Sequence, residues 1–569
     1  MIALTGQATM VKRGNPMRFE TYEHMKAHPI AADYGKGLAA ALSRFDASSP
    51  YLAPERAWID RAARVDAARG AAPAADRGNV ADAVLRYNRA HNDVPAAIAA
   101  AEALRDPTAL VVAGGQQAGL FTGPMLVVYK AMTILRTARH ASRVLGRPVV
   151  PVFWIAGEDH DWDEANHTYV VTPQLETRKI AVPHPGTDGR TAVSRTPVSP
   201  EAWQAAIDAL GEGLMDTEFK PGVLESLRGI AASSATLSDA FAKTMSLLFG
   251  RHGLVLIDAD DPGLRAAEGP MFEALLGKRD ELSAALKAGE REVTSLGYPL
   301  QAESAEDGVN LFLFDGGERK LLFRDGADAV DRKGTFRVPF EELLRRAGAE
   351  PTAFSNNALT RPLMQEFLFP TVATVLGASE IAYWSTLKEA FALFGFSTPI
   401  IVPRQQYTLL EGTVQKQMDK FGVSFDDAWQ RLPELRDAWL RAQDALGLSA
   451  RFAHAKESFA DVYRPLVDAA ASINPGLRKL GETNMGKILE QIDFLETKAT
   501  DALKQQHESG LRHWERIRTT TAPAGKPQER VVNVFQYVHR YGFPWLDDLI
   551  ERAELDFGAG YKPHEVIYL

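Results

Sequence analysis

The stretch LVVAGGQQAGLFTGP, residues 110–124, followed by VVPVFWIAGEDHDWDEANH at 149–167, decides the fold. Leu110–Ala113 is a short apolar run that ends in Gly114-Gly115. From Pro124 to Leu145 the apolar positions recur at helical spacing. Proline is tolerated in a first helical turn, and Gly146 with Pro148 supplies a cap and a stop. Val149–Ala156 is apolar on both faces, which suits a central strand of a parallel sheet covered by helices. Strand, glycine turn, helix and strand in close succession predict a βαβ unit.

The pattern returns further along the chain. Gly253–Ile257 runs into Asp258, Asp260 and Asp261; Thr371–Leu376 ends at Gly377; Pro399–Val402 ends at Pro403-Arg404. Polar residues thus gather at the C-terminal ends of the apolar runs, the edge at which open parallel sheets bind ligands. The expected fold class is α/β, with a Rossmann-like parallel-sheet core over 1–410. Residues 16 to about 108 read as helices, and insertions of mixed helix and strand occupy about 170–245 and 265–350, with a hairpin within 308–337.

Over 411–520 the strand signals stop and a helical coiled-coil domain is expected. Phe459, Val462, Leu466, Ala470 and Ile473 recur at helical spacing, and Met485, Ile488, Ile492, Leu495, Ala499 and Ala502 form an a/d seam. So short a seam fits either an antiparallel hairpin within one chain or the coiled coil of a homodimer. Residues 521–569 return to the core, with a helix around Val532–His539 and a last strand at Val566–Leu569.

At 569 residues, with 46% hydrophobic and 24% charged residues, the composition is that of a globular protein of several folding units. The net charge of −9 argues against a nucleic-acid partner, which needs a basic surface. The sequence holds no cysteine, so disulfides, thiolate metal sites and a cysteine nucleophile are excluded. Met1–Asn15 lacks the apolar run of a signal peptide and matches no motif, and no stretch approaches the ~20 apolar residues of a membrane span. The expected location is the cytoplasm, with no membrane partner.

Three segments carry candidate chemistry. In the first, Gly115, Gln116, Gln117, Thr122 and Gly123 lie between a buried strand and a helix N-terminus, where glycines let the backbone approach a nucleotide or anion. It is neither a Walker A loop nor a dinucleotide fingerprint, and a plain tight turn is the alternative. In the second, Glu158, Asp159, His160, Asp161, Asp163, Glu164 and His167 crowd the end of a central strand. His160 oriented by Asp159 or Asp161 reads as a general base or acid. Asp159, His160, Asp161 and His167 also read as divalent-metal ligands, and an acidic helix start is the bland reading. The crowd of carboxylates is expected to raise the proton affinity of His160. In the third, Asn356 and Asn357 offer directed hydrogen bonds and Arg361 a bidentate grip on an anion. Glu380 and Arg404 follow later strands, while Trp384 reads as core.

Together these segments resemble the cysteine-adding enzymes of bacillithiol biosynthesis (bacillithiol synthase). The matching pieces are GGQQAGLFTGP at 114–124, PVFWIAGEDHDWDEANH at 151–167, FSNNALTRPLMQE at 354–366, SEIAYWSTLKEAF at 379–391 and HEVIYL at 564–569. The resemblance implies a core related to class I aminoacyl-tRNA synthetases and nucleotidyl transferases, connecting insertions and a dimerising coiled coil. It implies a ligase that joins L-cysteine to the amine of glucosaminyl-malate, with ATP and magnesium expected for activation of the carboxylate. In that reaction His160 with Asp159 or Asp161 would take the amine proton. Arg361 or Arg404 would hold the malyl carboxylates, and Asn356, Asn357, Gln116 and Gln117 the hydroxyls. The HIGH and KMSKS signatures of the synthetases are absent, and Phe121–Pro124 stands in the HIGH-like place. A metal-dependent hydrolase using Asp159, His160 and Asp161, and a non-catalytic nucleotide-sensing scaffold, are the alternative functions.

Overall fold

Five runs apolar on both faces leave a sheet no stable place except between two layers of helices. The computed structural model describes residues 17–68, 70–186, 190–552 and 555–569, so the extension Met1–Asn15 lies outside the described residues. The runs form strands β1 (Leu110–Gln116), β2 (Val149–Ile155), β3 (Val255–Asp258), β4 (Thr371–Leu376) and β5 (Ile400–Pro403). They make one sheet in the order β3-β2-β1-β4-β5. Every neighbouring pair is parallel. This is the strand order of a doubly wound Rossmann sheet, whose direction of winding reverses between β1 and β4.

β1 runs further than the apolar residues alone indicate. It continues through both glycines, pairing Gly114 with Phe153, Gly115 with Trp154 and Gln116 with Ile155. A Cβ on Gly115 would stand 2.5 Å from the Trp154 carbonyl oxygen, and one on Gly114 would stand 2.8 Å from Ile134. The two glycines therefore permit close strand and helix packing.

Helix α1 (Met125–Leu145) starts behind Pro124 and stops at Gly146 in the left-handed conformation, φ 63°. In the turn before it, Phe121 and Thr122 have φ of 51° and 73°. The segment after residue 522 holds that turn. Asn533 Nδ2 donates to the Phe121 oxygen at 2.8 Å and the Gly123 oxygen at 2.7 Å. Met125 N donates to the Val532 oxygen at 2.8 Å. The expected anion site at this helix start is thus filled by the protein's own chain.

The first insertion is an antiparallel pair, His167–Val171 with Thr177–Ala181, followed by three helices. The second begins with helix α2 (Pro262–Gly277) and holds an antiparallel sheet in the order 337–339, 328–330, 318–325, 308–315, 354–356. The hairpin expected within 308–337 is therefore four strands, and Phe354–Asn356, from the third candidate segment, is the fifth. Helices α3 (Arg361–Leu368) and α4 (Ala378–Trp384) flank β4, and Trp384 is fully buried. Residues 565–568 form the edge-to-edge link between strands 18–21 and 407–410.

The chain divides into two compact units, one of 17–409 with 523–567 and one of 410–522 with 568–569. In the second, helices α5 (Leu448–Ile473) and α6 (Leu477–Gln506) run antiparallel. Tyr463 meets Asn484 at 2.6 Å, and Lys456 meets Asp493 at 2.8 Å and Glu496 at 2.7 Å. Near the bend, Val467 packs against Gly481, where a Cβ would come within 2.8 Å. Of the a/d seam, Met485, Ile488, Ile492 and Ala499 are half-buried while Leu495 and Ala502 are exposed. Val462, Leu466, Ile473, Leu480, Phe494 and Leu495 stay exposed. Among the described residues no helix is long and apolar enough to cross a membrane.

Candidate functional site

Where the winding reverses, the ends of β1 and β4 diverge and leave a cleft of about 760 Å³. Gly115, Gln116 and Gln117 line it from β1, and Gly377, Ala378, Ser379 and Glu380 from β4. The turn after β2 adds Glu158, Asp159, His160 and Glu164; the inserted sheet adds Phe312, Arg319, Asn356 and Asn357; Arg361, Arg404 and Arg530 complete the wall. Three of the predicted site residues are not there. Thr122 and Gly123 belong to the turn sealed by Asn533. Asp161 is exposed and caps the short helix Trp162–Ala165, accepting from Glu164 N at 3.0 Å, which is why its side chain is spent.

Lys130, on α1, is the cation at the floor and has no counterpart among the predicted residues. It is 1% exposed, and its Nζ donates to the Gly115 oxygen at 2.8 Å, Gln116 Oε1 at 3.0 Å and Glu380 Oε2 at 2.5 Å. Burial lowers its proton affinity, and the Glu380 carboxylate opposes that effect. The signal for it was one lysine on an otherwise apolar helix face, between Tyr129 and Ala131.

The acidic wall is less free than the sequence indicates. Glu158 is buried and paired with Arg265 of α2, whose other arm reaches Glu268 at 2.9 Å. Burial pushes Glu268 up to about 8 although Arg265 opposes it. Asp159 accepts from Gln117 Nε2 and, at 2.7 Å, from the His160 backbone N–H. Burial works against its charge, but Gln117 and Arg319 hold the carboxyl below the usual range. Glu164 moves the other way, raised by burial and by the neighbouring Asp159 and Asp161.

For His160 the expected shift is reversed. Burial lowers its proton affinity first, Arg319 lowers it further, and Asp159 only partly compensates. Arg319 is 159 residues away in sequence and arrives on the inserted sheet, so the local count of carboxylates misled. Its guanidinium lies 3.8 Å over the Phe312 ring, with Nε bonded to Ser355 Oγ at 2.9 Å and Nη2 to the Asn356 oxygen at 2.7 Å. Nη1 faces His160 Nδ1 at 3.4 Å and Asp159 Oδ1 at 3.5 Å.

The two asparagines divide the work. Asn357 is consumed locally, accepting from Leu359 N at 2.9 Å and Thr360 N at 3.0 Å and donating to Asn310 Oδ1 at 3.1 Å. Asn356 Oδ1 is buried in the cleft wall with no partner, a cost that a bound donor would remove. Arg404 is not available to a ligand, because Glu529 grips it with two bonds. Arg361 is: it stands 5.8 Å over Trp154, bonds to Gln365 at a long 3.4 Å and to the Tyr383 hydroxyl, and has no carboxylate partner among the described residues. The exposed Arg530, missed in the sequence, lines the same cleft.

The metal reading fails on geometry. Asp161 is a helix cap, and His167 lies on the neighbouring hairpin with Nδ1 against Asn166 Oδ1 at 3.1 Å. Among the described residues no three His, Asp or Glu side chains converge to hold a metal ion.

Residues 17–405 match the family description "Bacillithiol biosynthesis BshC, N-terminal Rossmann-like domain", and residues 407–558 match "Bacillithiol biosynthesis BshC, C-terminal coiled-coil domain". The chain is 38% identical over 497 residues to the "Putative cysteine ligase BshC" of Geobacillus thermodenitrificans (strain NG80-2), covering 87% of this chain and 91% of the relative. It is 37% identical over 549 residues to the protein of the same name from Geobacillus kaustophilus (strain HTA426), covering 95% and 98%. The relative from Symbiobacterium thermophilum (strain DSM 24528 / JCM 14929 / IAM 14863 / T) is 35% identical over 515 residues, covering 88% and 91%.

Proposed function

The chain belongs to the bacillithiol biosynthesis BshC family, and from that premise we propose that it is a cysteine ligase, forming an amide between L-cysteine and the amine of glucosaminyl-malate. The observation that carries the reading is the switch-point cleft, where cations not consumed by the fold face a wall of Asp159, His160 and Glu164. An anionic, hydroxyl-rich substrate meets Arg361 and Arg530, the only arginines of the cleft with no strong ion pair among the described residues. The malyl carboxylates belong there, in place of the Arg404 assignment. The orphaned Asn356 Oδ1 accepts from a substrate hydroxyl or amine.

Amide formation from a carboxylate in water is uphill, and a nucleoside triphosphate with magnesium would supply the activation. The cleft, about 760 Å³ in volume, has room for such a group, but its phosphates would compete with the malyl carboxylates for Arg361 and Arg530, and Lys130 has all three of its protons engaged. Residues of this chain do the rest. The acidic wall takes the proton that the amine loses as its nitrogen joins the cysteinyl carbonyl carbon, while the bond from that carbon to the activating phosphate oxygen breaks and its electron pair leaves on that oxygen. The protein acts in the cytoplasm as a homodimer associated through the exposed side of the α5–α6 hairpin.

Incubation with L-cysteine, glucosaminyl-malate and ATP tests the reading by mass spectrometry of the product and of AMP against ADP. Formation of the amide with stoichiometric nucleotide cleavage is expected. No product from that mixture, with a folded protein, overturns it.

A further inference from the structure

His160 touches two groups that make opposite demands on the same nitrogen. Asp159 Oδ1, 3.6 Å from Nδ1, calls for a proton on that atom. Arg319 Nη1, 3.4 Å away, is a permanent donor and calls for a lone pair there. Three observations decide between them. The Asp159 oxygen is already engaged by the His160 backbone N–H at 2.7 Å and the Asp161 N–H at 3.3 Å. Arg319 cannot swing aside, since Ser355, the Asn356 carbonyl and the Phe312 ring fix it on three sides. Finally, Nε2 has no partner among the described residues, while the ring lines the cleft.

We infer that Arg319 is a positioning residue that fixes His160 as a neutral imidazole with its proton on Nε2, so that His160 serves as a hydrogen-bond donor to a developing oxyanion and not as a base. The inference rests on the ligase reading for its substrate, the carbonyl oxygen of the activated cysteinyl group, which gains charge when the amine attacks. A neutral imidazole that donates is useful there because it stabilises the anion without giving up its proton. The charged groups near the ring act in both directions. Arg319 and Arg190 disfavour the imidazolium, and Asp159 and Asp161 favour it without prevailing over burial and the two arginines. The proton released by the amine then passes to a carboxylate of the wall, and Glu164, whose affinity for a proton is raised, is the cleft-lining one suited to it.

The experiment has two arms. Histidine-labelled protein, with His160→Asn to identify the signal, gives the tautomer by ¹⁵N NMR without any substrate. The Nε2–H form is expected, with protonation below the pH of an ordinary histidine. In Arg319→Gln that protonation point should rise and an Nδ1–H population should appear, while Arg319→Lys should restore the native behaviour in part. A native Nδ1–H tautomer overturns the inference, whatever the protein ligates. In the kinetic arm His160→Gln, whose amide nitrogen falls near Nε2, should retain at least ~10-fold more ligation than His160→Asn, whose amide falls near Nδ1. Equal loss in the two variants also overturns it. Absence of ligation in the parent defeats only the ligase reading, and the tautomer still decides this one.

Discussion

Arg404 and Glu529 form a doubly bonded ion pair with almost no access to water, Nη1 to Oε2 at 2.8 Å and Nη2 to Oε1 at 2.7 Å. It joins the end of β5 to a segment 125 residues later in sequence. Arg404 is raised and Glu529 lowered relative to their ordinary values, burial opposing both shifts and the partner's charge prevailing. Glu529→Gln should leave a buried arginine half-satisfied and cost about 3 kcal/mol or more in chemical denaturation. Replacing both residues with apolar ones of similar volume should recover much of the loss. An unchanged midpoint in Glu529→Gln would show the pair to be energetically idle.

Asp258, at the end of β3, gives a pH signature. Burial pushes its carboxyl up to about 7 although Ser238 and the Asp260 N–H hydrogen-bond to it. A carboxyl held above its unfolded value binds its proton more tightly in the folded state. The stability it contributes is therefore complete below about pH 4 and is lost as pH rises towards 7, roughly 4 kcal/mol at most. Asp258→Asn should flatten that decline, so that the variant gains on the parent between about pH 4 and 7. Parallel stability curves for the two proteins would refute the assignment.

The free arginines should affect binding rather than turnover. Arg361→Gln and Arg530→Gln are each expected to raise KM for glucosaminyl-malate about 10- to 100-fold, the worth of one charge-assisted hydrogen bond, with kcat within a few-fold of the parent. A fall in kcat at unchanged KM would place them against the reacting atoms instead.

Gly115 gives a contrast between packing and recognition. Because a Cβ there would meet the Trp154 carbonyl at 2.5 Å, Gly115→Ala should destabilise the sheet by about 1–3 kcal/mol. The fraction still folded should bind nucleotide and glucosaminyl-malate normally in calorimetry. Normal melting with lost binding would restore the loop to a ligand-cradling role.

On α5 and α6, charges at Leu466 and Leu480 probe association without entering the hairpin, since both side chains are exposed. The parent should scatter light as a dimer and Leu466→Glu/Leu480→Glu as a monomer, with unchanged helical content. A monomeric parent at micromolar concentration ends the dimer reading.

The parallel core was legible because each strand is a local signal, an apolar run stopped by glycine, proline or charge. Gln116, Asp159, His160 and Asn356 were legible as cleft residues because they follow or form strand ends. What the sequence hid is long-range. Arg319 reaches His160 only through an inserted sheet, and Glu529, which takes Arg404 out of service, lies 125 residues later in sequence. Lys130 was hidden for another reason: a lysine inside a helix normally reads as solvated, and only its burial beneath Gly115 reveals it. Asp161 and Asn357 show the converse error, since residues that cap turns look just like residues that bind ligands.

The segment after residue 522 seals the turn at Phe121–Gly123 and brings Arg530 to the cleft. That has a consequence for biosynthesis. Roughly 120 residues of the helical unit leave the ribosome between the last strand of the sheet and that segment, a delay of about 6–24 s at ordinary elongation rates. During the interval the nascent sheet is complete but the strand-to-helix turn and Arg404 lack their partners. Chaperone capture of ribosome-bound chains should therefore peak after β5 emerges and fall once Glu529 and Asn533 are out, and chains stalled before that point should be protease-sensitive around Phe121.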